Sequence, residues 1–311
     1  MLSQDPYKSR ALISPAILAR CEPVVYDQEQ SADGNSATLN AAQRDAYREN
    51  GFLFVPDLFT PAEAAGLHDE MQTMRADFAA TNLAEVVAEP GSGDVRSIFS
   101  AHALNEVFAS LMRDPRVLNV AREILGSEVY IHQSRINYKP GFSGKDFYWH
   151  SDFETWHIED GMPTMRALSC SILLTDNDEL NGPLMLIPGS HKHFISCAGE
   201  TPDENYKQSL RKQEYGVPDE LLLHYLSDMG GIKSCTGKAG SVVFFDSNIM
   251  HGSNSNITPY PRSNVFFVYN SVENQLQAPQ SGLQPRPEFI AARENVTPLE
   301  PAPLTLRTSQ T

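Results

Sequence analysis

The strongest constraint on the fold is a change in the spacing of apolar residues near Glu128. Upstream, apolar residues recur every three or four positions, as on one face of a helix. Downstream, the run EVYIHQSRINY alternates, with Val129, Ile131, Gln133, Arg135 and Asn137 predicted on one face of a strand. A chain with this change predicts a mainly β core with flanking helices.

Two upstream helices carry their own start and stop signals. Thr60, Pro61 and Glu63 supply an N-cap, an N1 proline and the acid of a capping box. Asp114 begins a second helix, and Gly126 follows its last apolar position as a C-terminal glycine would. The first half of the chain is therefore predicted to be helix-rich.

Short apolar runs separated by turn-rich segments follow the alternating run. They are ALSCSILLT (167–175), PLMLIP (183–188), GSVVFFD (240–246) and SNVFFVYNS (263–271). Many short strands with long excursions favour a jelly-roll or related β-barrel core. The excursion 196–238 is predicted to be helical or loop-like and to cover the barrel mouth.

The two ends of the chain differ in composition from this core. We predict a partly flexible N-terminal extension (1–45), which includes the polar run DQEQSADGNSAT, and a central domain (46–275) whose β core begins at about 128. Six prolines after about residue 275 predict an irregular C-terminal arm (276–311).

Composition argues against several classes of function. The formal charge is −15 and no block of Lys and Arg stands out, so no nucleic-acid partner is expected. No stretch approaches the roughly 18 apolar residues of a membrane helix, so no membrane partner is expected. Four scattered cysteines without a CxxC pair indicate reduced thiols, and a cytoplasmic location is expected.

The run FYWHSDFETWH holds the sharpest chemical signal. In an extended segment, His150 and Asp152 leave the same face and can bind one metal from adjacent directions. His251, in FFDSNIMHGSNSN, is the predicted third ligand. Two imidazoles and one carboxylate leave three octahedral positions open, which is the arrangement of non-haem iron(II) oxygenases.

An HxD pair alone is weak, because such pairs occur by chance and a strand histidine is usually a packing or surface group. Arg262, eleven positions after His251, strengthens the signal. Its guanidinium could bind the carboxylate of a cosubstrate in bidentate fashion, and the ordinary alternative is a surface salt bridge.

The order of these motifs resembles a known family. GFLFVPDLF, HxD, NGPLMLIPGSHK and HGSNSN before an arginine are similar to the phytanoyl-CoA dioxygenase-like branch of the iron(II)/2-oxoglutarate dioxygenases. Within that branch, the run from FYWHSDFETWHIEDGMP to PGSHK resembles the ectoine hydroxylases, and the likeness extends from about Gly51 to VYNSVENQL.

The resemblance implies a double-stranded β-helix (jelly-roll, cupin-like) fold and three cofactors or cosubstrates: Fe(2+), 2-oxoglutarate and O2. It implies hydroxylation of L-ectoine, a small zwitterionic cyclic amidine, to the compatible solute 5-hydroxyectoine, with release of succinate and CO2. It also suggests a homodimer.

The resemblance further implies roles for individual residues. Lys139 and Arg262 are expected to bind 2-oxoglutarate, and Asn137 and Phe147 to line its side of the site. The expected substrate contacts are Gln133, Trp156, Ser169, Asn264 and Phe266.

For two of these residues an ordinary structural role is the alternative: Lys139 could be a solvated lysine at a strand end, and Trp156 could be a core tryptophan. His191 is expected to brace a turn, and His157 is set aside as a ligand because it has odd parity relative to His150 in an extended chain.

Four other readings remain open. A zinc hydrolase can also use two histidines and an aspartate, but no general base is evident beside them and Arg262 would lack a purpose. A related halogenase would carry Ala or Gly in place of Asp152. A non-enzymatic β-barrel would use the histidines for packing only. The same oxygenase chemistry could also serve proline or an acyl-CoA thioester.

Overall fold

The computed structural model describes residues 5–10, 15–26, 38–89, 93–210, 214–279, 281–294 and 296–307. The strands are β1 (Ile17–Ala19), β2 (Phe52–Val55), β3 (Val86–Ala88), β4 (Val95–Phe99), β5 (Val129–Lys139), β6 (Phe147–His150), β7 (Ala167–Leu173), β8 (Leu184–Leu186), β9 (His193–Ile195), β10 (Lys233–Cys235), β11 (Val242–Asp246), β12 (His251–Ser253) and β13 (Arg262–Ser271). The helices are α1 (Ala41–Asn50), α2 (Pro61–Phe78), α3 (Ala101–Leu104), α4 (Glu106–Leu111), α5 (Pro115–Leu125), α6 (Asp152–Asp160), α7 (Tyr206–Ser209) and α8 (Glu220–Gly230).

Two antiparallel sheets form the core of the molecule. The major sheet has the order β2-β11-β7-β13-β5-β4-β3, and the minor sheet has the order β10-β8-β12-β6. Apolar side chains from both sheets, among them Leu186, Phe245 and Phe266, pack together between them. The predicted fold class, mainly β with flanking helices around a jelly-roll core, is confirmed.

The helices of the first half cover the outer face of the major sheet. Leu67 and Met71 of α2 and Leu118 of α5 pack in one cluster with Val265 and Phe267 of β13. Both predicted helix starts are confirmed, since Thr60 and Glu63 form a complete capping box and the Asp114 side chain accepts a hydrogen bond from the Arg116 amide. These helices close off one face of the sheet and leave the other face for the site.

Strand β5 departs from the strict alternation predicted for it. Val129, Ile131 and Ile136 belong to the helix-side cluster, whereas Gln133 and Arg135 line the cavity between the sheets. The prediction of one face for 129–137 is therefore wrong. The register with β13 shifts between Val268 and Tyr269, where one extra β5 residue exchanges the two faces as a β-bulge does.

The described parts of both chain ends pack on the rest of the molecule. In the N-terminal part, β1 pairs with β9, and Tyr7 is fully buried. In the C-terminal part, Ile290 and Ala291 are fully buried. The polar run predicted to be mobile lies outside the described residues, apart from Thr38.

No helix in the described ranges combines the length and the hydropathy that a membrane-spanning segment requires.

Candidate metal and cosubstrate site

Three side chains converge where the minor sheet meets α6. His150 ends β6, and His251 lies opposite it at the start of β12, with 4.3 Å between the ring centroids. The Nε2 atoms of His150 and His251 each lie 3.8 Å from a different carboxylate oxygen of Asp152. One candidate ligand atom from each residue lies within 4.8 Å of the others, so the three could hold one metal ion.

The backbone sets the tautomer of both histidines. The Nδ1 atom of His150 lies 2.7 Å from the Tyr148 carbonyl oxygen, and that of His251 lies 3.1 Å from the Ile249 carbonyl oxygen. A carbonyl only accepts, so Nδ1 of each ring carries the proton and donates. Each Nε2 therefore presents a lone pair beside Asp152, as a metal ligand must. The donor set fits an iron(II) ion.

Burial keeps His150 neutral. Desolvation, followed by the nearby His251, lowers the pKa of His150 to about 4, although Asp152 opposes the shift. At neutral pH the ring is unprotonated at Nε2, so a metal does not have to displace a proton from it.

The HxD segment is not one continuous strand. Ser151 has extended backbone angles and is the N-cap of α6, so Asp152 is the first residue of a helix. The extended Ser151 still turns His150 and Asp152 toward each other. The parity argument for His157 is wrong, because this residue lies within α6.

Neither of the other two discussed histidines is a candidate ligand. The Nδ1 atom of His157 lies 2.7 Å from the Met162 carbonyl oxygen, and its Nε2 lies 3.1 Å from Asp5. The Nε2 atom of His191 lies 3.1 Å from the Arg48 carbonyl oxygen, so this histidine contacts the end of α1 and not the metal ligands.

Buried cations lie beyond the metal ligands. Arg262 begins β13 opposite Lys139 of β5. Arg262 forms no ion pair among the described residues, and its Nε has no hydrogen-bond partner there. Burial lowers the pKa of Arg262 to about 10. An unpaired buried guanidinium is costly, so this geometry suits an anionic ligand that the protein does not itself supply.

Lys139 is held in place by the loop after β12. Its Nζ donates to the Ser253 hydroxyl at 2.9 Å and also to the Asn254 carbonyl. Burial, and then the charges of Arg262 and Arg96, lower the pKa of Lys139 to about 6. The alternative of a solvated strand-end lysine is excluded, since Lys139 is 5% exposed.

A glycine of the NGPLMLIPGSHK run makes room for this lysine. Gly182 has φ +73, and a Cβ placed there would lie 2.4 Å from the Asn254 carbonyl oxygen and 3.2 Å from Lys139 Nζ. The lack of a side chain therefore permits both the turn and the position of the ammonium group.

Most of the predicted contacts share one cavity with the metal ligands. Its wall includes Gln133, Asn137, Phe147, Trp156, Arg262 and Phe266. Ser169 is placed beneath the metal site, where its hydroxyl lies 3.5 Å from Asp152 Oδ2. Asn264 is not part of the cavity wall among the described residues, and its Nδ2 donates to the Ser171 hydroxyl at 3.1 Å.

The model of the family "Phytanoyl-CoA dioxygenase (PhyH)" matches residues 47–264. This chain belongs to the phytanoyl-CoA dioxygenase family. A protein of Bordetella bronchiseptica named ectoine dioxygenase is 60% identical over 299 residues, which is 96% of each chain.

Solved structures show the same relationship. A crystal structure of EctD from S. alaskensis with 2-oxoglutarate and 5-hydroxyectoine has a TM-score of 0.86 and 47% identity, and covers 97% of this chain and 100% of the other. A second EctD structure, with bound Fe, has a TM-score of 0.86 and 46% identity at the same coverage.

Three charged residues of the cavity were not predicted from the sequence: Arg135, Glu159 and Arg286. Arg135 could have been found, because it lies between Gln133 and Asn137 in the alternation of β5 and an arginine facing a barrel interior is unusual. Glu159 and Arg286 gave no comparable signal. Arg286 comes from the proline-rich C-terminal part and reaches the site only through tertiary packing.

The excursion 196–238 contributes to the cavity as predicted. Asn205, Leu210 and Tyr215 belong to the cavity wall and lie on either side of α7. The segment thus covers part of the barrel mouth.

Proposed function

We propose that this chain is an iron(II)/2-oxoglutarate-dependent dioxygenase that hydroxylates L-ectoine to 5-hydroxyectoine, with release of succinate and CO2. The observation that carries the proposal is the position of an unpaired buried arginine, Arg262, in the same cavity as a two-histidine, one-carboxylate cluster. The named relatives and the ligands in the EctD structure support the substrate.

His150, Asp152 and His251 are the proposed metal ligands. When bound, iron(II) with 2-oxoglutarate supplies the activation of O2. The Nδ1 hydrogen bonds to backbone carbonyls orient both imidazoles so that each Nε2 faces the carboxylate of Asp152.

Arg262 and Lys139 are proposed to bind 2-oxoglutarate, with Asn137 and Phe147 beside it. The two cations lie on paired strands, so one dianion can contact both. Asn137 is oriented by the Ser97 hydroxyl, which donates to its Oδ1 at 2.8 Å. This contact leaves the amide nitrogen of Asn137 available as a donor.

Gln133, Trp156 and Phe266 are the proposed principal substrate contacts. Gln133 Nε2 donates to the Ile290 carbonyl at 2.8 Å, which leaves its Oε1 available to accept from a ligand. Trp156 is 3% exposed and can contact a cationic ring by a cation–π interaction. Ser169 is proposed to contact the substrate near Asp152. Asn264, which does not line the cavity among the described residues, is proposed to influence substrate binding through its hydrogen bond to Ser171.

A screen of turnover products tests the proposal. With iron(II), 2-oxoglutarate and O2, we expect a 16 Da gain on ectoine, measured by mass spectrometry, with equimolar succinate. A gain on proline or an acyl-CoA alone would refute the ectoine assignment and retain the dioxygenase. Hydrolysis without O2 or succinate would favour a zinc hydrolase instead.

We also propose a cytoplasmic homodimer that binds no nucleic acid. The net charge of −15 supports the last point, because a phosphate backbone would be repelled. Light scattering measures the oligomeric state, and a monomer at micromolar concentration would contradict the dimer.

A further inference from the structure

The cavity holds a second carboxylate in addition to Asp152. Among the described residues that line it, Asp152 and Glu159 are the two acids. Glu159 lies on α6, three positions after Trp156, and it also lines an adjoining recess formed by 201–206 and 281–287. It therefore lies between this recess and the part of the cavity that is lined by the candidate metal ligands.

Glu159 is held firmly on one side only. Its Oε1 accepts hydrogen bonds from Arg10 Nη1 at 2.5 Å and from Asn205 Nδ2 at 3.0 Å. Within the described part of the chain, no hydrogen bond occupies Oε2. The carboxylate is thus oriented by protein contacts while one of its oxygens remains available to a ligand.

The charges around Glu159 do not balance. Arg10 is shared between Glu159 and Glu154, and it makes a bidentate contact with Glu154, including an Nη2–Oε2 distance of 2.7 Å. Arg286, which lines the same cavity as Glu159, uses its Nε and Nη2 atoms to bind Asp160 at 2.8 and 2.5 Å. One arginine shared by two acids leaves the group formed by Arg10, Glu154 and Glu159 with an excess of one negative charge, and Glu159 is its member on the cavity wall.

We propose that Glu159 is a specificity-determining residue that accepts a hydrogen bond from the amidinium group of the substrate through Oε2. Arg10 and Asn205 are positioning residues that orient it. The same cavity also contains Arg135, which has no ion pair among the described residues, so both signs of charge are present, as a zwitterionic substrate requires. This inference rests on the proposed hydroxylation of ectoine.

The test compares two isosteric variants on the same helix, Glu159→Gln and Glu154→Gln. Both remove a carboxylate that contacts Arg10, but Glu154 is not part of the cavity wall among the described residues. A charge-assisted hydrogen bond lost from the substrate predicts a KM for ectoine about 10- to 100-fold higher in Glu159→Gln. The KM for 2-oxoglutarate should change less than about twofold, and Glu154→Gln should leave the KM for ectoine within about threefold.

A second measurement separates recognition of charge from a structural role. 5-Oxoproline is a ring carboxylate that lacks the amidinium charge, and it is the probe to be assayed for competition with ectoine. Glu159→Gln should leave its inhibition constant unchanged or lower it, whereas a structural defect would weaken ectoine and 5-oxoproline equally and overturn the inference. If Glu159→Gln does not fold, Asn205→Ala tests the same point, with an expected rise of a few fold in the KM for ectoine only.

The outcomes also distinguish this inference from the proposed function. Absence of ectoine hydroxylation by the wild-type chain would refute the function itself. Hydroxylation by the wild type, together with an unchanged KM for ectoine in Glu159→Gln, would refute the role of Glu159 alone.

Discussion

The two ends of the cavity differ in whether their polar and charged groups already have partners within the protein. At the metal end, both histidines donate Nδ1 to backbone carbonyls and direct Nε2 toward Asp152. At the cationic end, Arg262 lines the cavity and Lys139 is buried on the neighbouring strand, and neither forms an ion pair among the described residues. The metal end is therefore preorganised at little cost, whereas the cationic end is destabilised until an anion binds.

Replacement of Asp152 should have the largest effect. Asp152→Ala removes one of the three ligands, and the only charged one. Loss of an outer-shell partner costs roughly 10- to 100-fold in metal affinity. Because Asp152 is itself a ligand, we expect iron affinity and succinate formation to fall by more than that. Competition with a chelator measures the affinity. Ser169→Ala, which removes only the 3.5 Å contact to Asp152, is the control and should retain iron. Normal iron binding by Asp152→Ala would contradict the assignment.

Replacement of Arg262 should weaken the binding of 2-oxoglutarate without changing the binding of iron. Arg262→Leu should raise the KM for 2-oxoglutarate by about 30-fold or more, since loss of a buried charged partner costs about 2 kcal/mol or more. Iron affinity should not change. The ligand-free protein should become more stable to urea, because an unpaired buried charge is removed.

Arg286→Leu is the matched control for this stability prediction. Arg286 is buried but paired with Asp160, so its removal should destabilise the protein because the buried Asp160 carboxylate loses its guanidinium partner. Lower stability of Arg262→Leu than of the wild type would show that the cationic end is not strained.

Replacement of Gly182 should disturb the cationic end alone. Gly182→Ala places a Cβ 2.4 Å from the Asn254 carbonyl oxygen, which itself accepts a hydrogen bond from Lys139. We expect a loss of about 1–3 kcal/mol in stability and a KM for 2-oxoglutarate several-fold higher. Gly93→Ala has a similar φ of +77 but no atom within 4 Å, so it should show only the smaller backbone cost. Equal effects of the two variants would exclude a role for the contact.

The smallest expected effect is a proton taken up with 2-oxoglutarate. The pKa of Lys139 is about 6 without a ligand, and a bound dianion should raise it. Above pH 6, binding should therefore take up as much as about one proton, and affinity should fall as the pH rises toward the raised pKa. Calorimetry in buffers of different ionisation enthalpy measures this uptake. Lys139→Met should abolish it, and a wild type without uptake would contradict the shift.

The sequence alone determined the features that depend on short segments. The caps at Thr60 and Asp114 were readable because a helix cap is a contact between residues two or three positions apart. His150 and Asp152 were readable as a pair for a similar reason, since one extended residue, Ser151, fixes their relative direction. Ligand chemistry nominated His251 and Arg262, and the order of the family motifs supported them, because no local rule connects these two residues to that pair.

Tertiary structure decided the features that depend on contacts between distant segments. The bulge in β5 moved Ile131 to the helix side and left Gln133 and Arg135 in the cavity, because register is set by pairing with β13 and not by β5 itself. Glu159 gained a role only through Arg10 and Asn205, which lie 149 and 46 positions away along the chain. Burial and missing partners raise the energy of a charge, and neither can be assigned to a residue until the chain has folded around it.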